Sequence, residues 1–307
     1  MSAAPRIGLI GAGNAGQAMA GALSPHFALT VFDRDAGQSR KAVDRAQAKT
    51  AIAPDAASLA RGCDLVILSL PTPDASLAVA GEIADAIGPG TIVLETSTVR
   101  PEDIEALHDR LAPAGARVID AAIVGGIAAL AQGRSAFLVG ASQSDAGLAG
   151  TVLDALAGDI VWLGARGKGM AAKLVVNAVA HAVYVVLVEA GALAAAQDIP
   201  MDVLQRLLER ESGLMRPLTH RFGERLARRD FAGGMSTANA AKDSRLVQQA
   251  AASLGVPLYA IPAAHEVYEL ALREGLGALD YAAIGLLWEE GKGTGFSRGR
   301  KAHDASD

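Results

Sequence analysis

The chain has 307 residues, enough for one large domain or two ordinary ones. Its formal net charge of -5, without a basic stripe interleaved with aromatics, argues against nucleic acid as a partner. The single cysteine, Cys63, excludes an internal disulfide framework, and the scattered histidines have no metal-ligand spacing. We therefore expect a cytoplasmic protein that holds no metal.

The first predicted element is an apolar strand at residues 6–10, followed by a glycine-rich turn and an alanine-rich helix. The turn has the G-x-G-x-x-G spacing that cradles a dinucleotide pyrophosphate. Gly11 would allow the tight turn, Gly13 the approach of the phosphates, and Gly16 the close packing of helix on strand. The predicted cofactor-binding residues of this turn are Gly11, Ala12, Gly13, Asn14, Ala15 and Gly16.

The second predicted strand, at residues 29–32, ends at Asp33. Since 33 minus 13 is 20, this carboxylate falls where an acid bonds the ribose 2′-hydroxyl of NAD. It would repel a 2′-phosphate, whereas Arg34, directly after it, could accommodate one. We predict that Asp33 and Arg34 both bind the cofactor, and we expect NAD, with NADP possible.

Strands and helices then alternate as far as residue 164. Further strands are predicted at residues 65–69, 91–95, 117–121, 136–140 and 160–163, with helices such as 73–87 and 101–111 between them. This alternation predicts an α/β fold with a Rossmann-type, doubly wound and mainly parallel sheet.

Two loops at the carboxyl ends of these strands are expected to complete the cofactor site. One contains Leu70 and Pro71, and the other contains the run Thr96 to Thr98. The hydroxyls of the second loop could bond a ligand, or they could cap the helix that begins at Pro101.

Beyond Gly164 only helical periodicity continues, through about Glu290. A long helix that begins in the glycine cluster at residues 164–169 would link the two parts. We predict a dinucleotide-binding Rossmann domain at residues 1–164, an all-α substrate and dimerisation domain at residues 165–290, and a disordered tail at residues 291–307. The active site is expected in the cleft between the domains.

Lys173 and Asn177 are the most informative polar residues of the long helix. They are four residues apart and therefore share one face of an apolar segment, which His181 continues. A buried ammonium group must be paired or line a cavity, where it can exchange a proton. The alternative is a lysine that extends its charge to solvent from a helix end.

The segment from residue 171 to 196 is long enough to span a bilayer. It contains Lys173, Asn177, His181 and Glu189, however, and much of its apolar content is alanine. We therefore expect a helix buried between protein partners and no membrane.

Four separated motifs resemble those of the β-hydroxyacid dehydrogenases, the family of 3-hydroxyisobutyrate dehydrogenase and tartronate semialdehyde reductase within the 6-phosphogluconate dehydrogenase superfamily. They are the glycine turn, D-A-A-I-V-G-G at residues 120–126, G-x-G-x-x-x-K-x-x-x-N at residues 167–177, and K-D-S-R-L at residues 242–246. The resemblance covers nearly the whole chain. It implies an NAD-dependent oxidoreductase that interconverts a 3-hydroxy acid and its semialdehyde or keto acid.

The chemistry of that reaction explains the residue types on the long helix. Oxidising an alcohol removes a hydride from carbon and a proton from oxygen, so the site needs a base. Lys173 is the predicted general acid/base, because partial burial would lower its pKa. Asn177 would hold the geometry, and both residues would contact the substrate.

The segment at residues 120–126 resembles the family's substrate loop. Val124, Gly125 and Gly126 would bind the substrate carboxylate, the glycines through backbone N–H groups. The family's usual proline and serine are Ala122 and Val124 here. Because valine has no hydroxyl, either the backbone alone holds the acid or the substrate is bulkier or less polar.

The resemblance also places Lys242 beside cofactor and substrate, and Thr98 near the nicotinamide. It implies that the helical domains pair between subunits. The apolar length of the long helix would also be hard to cover in a monomer, so we expect a homodimer or homotetramer. Two alternatives stay open. One is an imine reductase, although those enzymes usually carry aspartate or tyrosine in place of Lys173; the other is a non-catalytic dinucleotide-binding protein.

Overall fold

The computed structural model describes residues 4–46, 50–210 and 214–289. Contacts divide the chain into two compact units, Met1–Ala178 and Val179–Asp307. This division falls inside the long helix, whereas the predicted domain boundary at residue 164 precedes that helix. The predicted tail at residues 291–307 lies outside the described residues.

The first unit contains one eight-stranded sheet in the order β3-β2-β1-β4-β5-β6-β7-β8. The strands are β1 Arg6–Ile10, β2 Ala28–Phe32, β3 Thr50–Ile52, β4 Leu65–Leu68, β5 Ile92–Glu95, β6 Arg117–Val124, β7 Ser135–Val139 and β8 Ala157–Trp162. Neighbouring strands are parallel except β6 and β7, which are antiparallel. The predicted doubly wound, mainly parallel sheet is confirmed.

In the described part of this unit, seven α-helices connect these strands, and an eighth follows the last one. They are α1 Asn14–Leu23, α2 Ala36–Arg45, α3 Ala56–Arg61, α4 Pro73–Ile83, α5 Pro101–Leu111, α6 Ile127–Ala131, α7 Leu148–Asp154 and α8 Lys168–Ala195. The helices cover both faces of the sheet, because the strands are apolar on both sides. In β4, Leu65 and Ile67 belong to one hydrophobic core, while Val66 and Leu68 belong to the core on the opposite face.

The predicted strands agree with the observed ones to within three residues at each end, with one omission. The edge strand β3 was not predicted, because its three residues carry no apolar repeat and two of them are exposed. Helix α4 ends at Ile83, before the predicted residue 87, because a turn precedes the glycines and proline at residues 88–90. Strand β6 continues through Val124, since β7 pairs with its last four residues.

The second unit is helical in its described residues, as predicted. Its elements are α9 Met201–Leu208, a π-helical turn at Pro217–Leu226, α10 Thr237–Leu254, α11 Ala260–Arg273 and a 3₁₀ segment at Tyr281–Trp288. Glu189 of α8 accepts hydrogen bonds from the backbone N–H groups of Tyr259, Ala260 and Ile261. This carboxylate therefore caps the first turn of α11.

Helix α8 is long and apolar enough to cross a membrane, judged by length and composition alone. Its most apolar stretch is not buried within the described chain. Large apolar side chains on it are exposed, among them Val175, Val179, Tyr184 and Val188. The described residues thus leave the middle of this helix exposed, between ends that are partly buried.

Candidate active site

The glycine turn between β1 and α1 is closed around its first and third glycines and open at its second. Gly11 has a φ of 96°, and a Cβ there would lie 2.1 Å from the Ser69 carbonyl oxygen. A Cβ on Gly16 would lie 2.0 Å from the Gly11 carbonyl oxygen. A Cβ on Gly13 would meet nothing within 4 Å. The backbone at Gly13 is therefore accessible to a ligand, as a pyrophosphate requires.

Asp33, at the end of β2, is held against this turn. Its Oδ2 accepts a 2.7 Å hydrogen bond from the backbone N–H of Ala12, and its Oδ1 accepts one of 2.9 Å from Asp35. Each carboxylate oxygen has a further lone pair, so both can still accept from a ribose hydroxyl. The turn thus fixes the orientation of this carboxylate, and its bond to a ribose stays a prediction.

A cleft of about 540 Å³ opens between the glycine turn, the end of β2 and the start of α4. The predicted cofactor residues that line it are Gly11, Gly13, Asn14, Ala15, Asp33, Arg34, Leu70 and Pro71. Ala12 and Gly16 are buried behind the turn instead, where Ala12 bonds Asp33 and Gly16 packs on Gly11. The open cradle, the acid and the size of the cleft all fit a dinucleotide.

The same cleft has lining residues that were not predicted, among them Asp35, Gln38, Ala75 and Val79. Asp35 caps α2 through the backbone N–H of Gly37. Ala75 and Val79 are one turn apart on α4 and present one face of that helix. The i, i+4 spacing of these two apolar residues is the feature of the sequence that could have predicted this wall of the cleft.

A second cleft of about 260 Å³ adjoins the first and shares Ala15, Ser69 and Leu70 with it. Its other lining residues include Thr98, Gly125 and Gly126. Val124 does not line this cleft and is partly buried. The structure thus brings the paired glycines and the predicted Thr98 together, at the end of the dinucleotide cleft.

The hydroxyls of residues 96–98 do not cap α5, so that alternative was wrong. Arg100 is the N-cap, and its backbone N–H donates to Asp103 Oδ2 at 2.8 Å. Thr96 Oγ1 donates to the Leu68 carbonyl at 2.6 Å, and Ser97 Oγ accepts from the backbone N–H of Leu70 at 2.8 Å. Ser97 thereby ties the Leu70 loop, which borders both clefts, to the loop at residues 96–98, which borders the second cleft.

Two fully buried carboxylates lie side by side where β5 and β6 pair, and sequence reasoning missed their role. Asp120 accepts hydrogen bonds from the backbone N–H groups of Gly167 at 2.8 Å and Met170 at 2.9 Å, which caps the start of α8. Glu95, its register partner, accepts from the backbone N–H of Ser97 at 2.7 Å. Burial raises the pKa of Asp120, and it raises that of Glu95 to about 7.

Lys173 and Asn177 are partly buried on α8, one helical turn apart. Burial lowers the pKa of the Lys173 ammonium group. Neither side chain lines the two clefts described above. Lys242 belongs to the second unit, where it is exposed and forms an ion pair with Asp243 at 2.9 Å. The roles of these three residues stay predictions.

Two protein-family models match the chain. One, described as the NAD-binding domain of 6-phosphogluconate dehydrogenase, matches residues 6–164. The other, described as the NAD-binding region of NADP-dependent 3-hydroxyisobutyrate dehydrogenase, matches residues 167–287.

Curated relatives match over most of their length. The mitochondrial 3-hydroxyisobutyrate dehydrogenase of Drosophila melanogaster is 31% identical over 290 residues, which cover 92% of this chain and 88% of that protein. The NAD-dependent L-serine dehydrogenase of Pseudomonas aeruginosa is 31% identical over 304 residues, covering 94% and 99%. Among solved structures, an imine reductase from Pseudomonas sp. superposes with a TM-score of 0.84 at 19% identity, covering 93% and 100%. That last likeness shows the fold alone.

The fold, the open glycine cradle and the matching nucleotide-binding models define an NAD(P)-dependent oxidoreductase. The chain belongs to the β-hydroxyacid dehydrogenase family.

Proposed function

We propose that the protein interconverts a 3-hydroxy acid and its semialdehyde or keto acid, with NAD as the favoured cofactor. The observation that carries this proposal is the continuity of the two clefts through Ala15, Ser69 and Leu70. A dinucleotide that extends along the glycine turn and past Leu70 would bring its reactive end to the Thr98 loop and the paired glycines. The substrate would be held there.

The substrate class is supported by the two curated relatives. 3-Hydroxyisobutyrate and L-serine, which appear in their names, both carry a carboxylate and a hydroxyl on the third carbon. Backbone N–H groups at Gly125 and Gly126 suit the carboxylate, because successive N–H groups after a strand form an anion-binding concavity. With valine at position 124, no side-chain hydroxyl is available there, so the backbone carries this contact.

The glycine turn and Asp33 would hold the dinucleotide, whose nicotinamide would supply the hydride acceptor or donor. Lys173 accepts the hydroxyl proton through its neutral amine, and in the reverse direction its ammonium group donates a proton. Burial makes the neutral amine more accessible near neutral pH, because it penalises the charged form. Asn177 holds the lysine or the substrate in position from the next turn. Asp120 keeps the start of α8 in place beneath them.

We further propose that the protein is a homodimer or homotetramer whose subunits cover α8. The exposed apolar side chains of α8 support this proposal, as does the polar set Lys173, Asn177 and His181, which disfavours a lipid environment. The low cysteine content supports a cytoplasmic location.

The test is a rate measurement with purified protein, NAD and NADP across a panel of short and aryl-substituted 3-hydroxy acids at mildly alkaline pH, beside cyclic imines with NADH and NADPH. Turnover of the hydroxy acids supports the proposal. Turnover of imines alone would favour the imine-reductase alternative, and tight cofactor binding without any turnover would favour a binding protein.

A further inference from the structure

The cofactor-facing arginine is held by an acid that does not line the cleft. Arg34 Nη2 donates a 2.6 Å hydrogen bond to Glu82 Oε1, which forms an ion pair between residues 48 positions apart in the chain. Arg34 follows Asp33 directly and lines the dinucleotide cleft, whereas Glu82 lies in the last turn of α4. The pair therefore links the ribose end of the cleft to α4.

The position of Glu82 on α4 explains how it reaches Arg34. Ala75 and Val79 of this helix line the cleft. Glu82 follows them at the i+7 and i+3 positions, so it lies on the same face of α4. The face that forms the cleft wall thus ends in a carboxylate, which draws the guanidinium toward α4.

Two further carboxylates flank Arg34 along the chain. Asp33 and Asp35 precede and follow it, and both line the cleft. A 2′-phosphate would need the guanidinium as its partner, because these carboxylates repel it. In this structure that guanidinium is already bonded to a carboxylate.

We propose that Glu82 is a positioning residue that sets cofactor specificity, by holding Arg34 away from the 2′ position and so disfavouring NADP. This rests on the proposed function in that the adenosine ribose lies against Asp33. Both side chains of the pair are substantially exposed, 66% for Arg34 and 44% for Glu82, so the ion pair is weak. We therefore expect Glu82 to favour NAD over NADP by a modest factor and not to exclude NADP.

The experiment is a fluorescence titration of NADPH and NADH, without substrate, against the full-length wild-type protein and the Glu82→Gln variant at low ionic strength. The expected result is a Kd for NADPH that falls about 2–5-fold in the variant, the scale of one exposed ion pair, while the Kd for NADH changes by less than about 1.5-fold. Added salt should reduce the gain.

Two further variants test whether Glu82 affects NADPH binding through Arg34. In an Arg34→Ala background, Glu82→Gln should no longer improve NADPH binding, because no guanidinium remains to be released. Asp85→Asn removes a charge from an exposed site just beyond the end of α4 and leaves the Arg34–Glu82 pair intact. It should leave the ratio of the two Kd values unchanged.

Three results would overturn the inference: an unchanged NADPH Kd in Glu82→Gln, an equal gain in Asp85→Asn, or a gain that persists without Arg34. Wild-type protein that binds NADH while the Glu82 variant shows no gain refutes this inference alone. Wild-type protein that binds neither nucleotide refutes the proposed function, and this inference with it.

Discussion

Burial sets the proton affinity of individual side chains in the first unit, and it moves the pKa of acids and of amines in opposite directions. It lowers the pKa of Lys173 and raises that of Glu95 to about 7. In both cases the charged form is penalised, because burial removes solvating water from it, in part for Lys173 and fully for Glu95. The lysine gains a basic form suited to proton transfer, and the glutamate gains a pH-dependent contribution to stability.

Glu95→Gln should change how stability depends on pH. The folded pKa of Glu95 lies above the ordinary value of 4.5, so its contribution is fully present below pH 4.5 and is lost as the pH rises through about 7. The neutral amide has no such loss. Relative to wild type, the free energy of unfolding of the variant should therefore rise between pH 4.5 and 8 by on the order of 3 kcal/mol.

Denaturant unfolding at several pH values measures this difference. Asp159→Asn, which removes an exposed carboxylate from β8, is the control for the loss of one carboxylate. A Glu95→Gln difference that is the same at every pH, or that follows the Asp159→Asn difference, would show that Glu95 does not titrate in this window.

Two glycines of the turn between β1 and α1 have different roles: Gly16 is needed for stability, and Gly13 is needed for cofactor binding. Gly16→Ala should destabilise the first unit by about 2 kcal/mol or more, because the methyl group would overlap the Gly11 carbonyl oxygen. Gly13→Ala should fold normally, since its φ of -65° suits alanine and no atom lies within 4 Å. Its methyl group would instead occupy the path of the pyrophosphate and weaken NADH binding by about tenfold or more.

Thermal unfolding and NADH titration of the two variants separate these effects. A Gly13→Ala protein that binds NADH as tightly as wild type would contradict the placement of the pyrophosphate. A Gly16→Ala protein with an unchanged melting temperature would contradict the close packing of α1 on the turn.

The start of α8 depends on one buried carboxylate. Asp120→Asn leaves a single carbonyl acceptor where two oxygens now accept from Gly167 and Met170, so one backbone N–H loses its partner. We expect a loss of about 1–3 kcal/mol in the free energy of unfolding, the usual cost of an unsatisfied buried group. Chemical denaturation measures it, and a loss within experimental error would mean that Asp120 does not anchor this helix.

Much of this architecture could be predicted because it follows local rules of spacing. The glycine turn, the acid twenty residues after Gly13, and the alternation of strands and helices each depend on residues close together in the chain. The Asp120 cap, the Ser97–Leu70 tie and the Arg34–Glu82 pair join residues 27 to 50 positions apart. Such contacts form only when the strands have assembled in order, so no local sequence pattern predicts them.

For the whole molecule, the exposed length of α8 predicts association. Val179 and Tyr184 are 60% and 69% exposed, and covering such side chains would stabilise a dimer or tetramer. Light scattering should give at least twice the monomer mass, and Val179→Glu should shift it toward the monomer. Ile52→Glu, which changes an equally apolar exposed side chain on the edge strand β3, should not. A monomeric wild type would refute the prediction.

We propose that Lys173 transfers the proton in the oxidation of a 3-hydroxy acid, and the turnover rate of a lysine variant tests this role. The kcat of the best hydroxy-acid substrate is compared between wild type, Lys173→Ala and Lys168→Ala, the last an exposed lysine at the start of the same helix. We expect Lys173→Ala to lower kcat by at least ~10²-fold with NADH binding unchanged, and Lys168→Ala to match wild type. A Lys173→Ala variant that turns over the substrate at the wild-type rate would show that Lys173 does not transfer the proton.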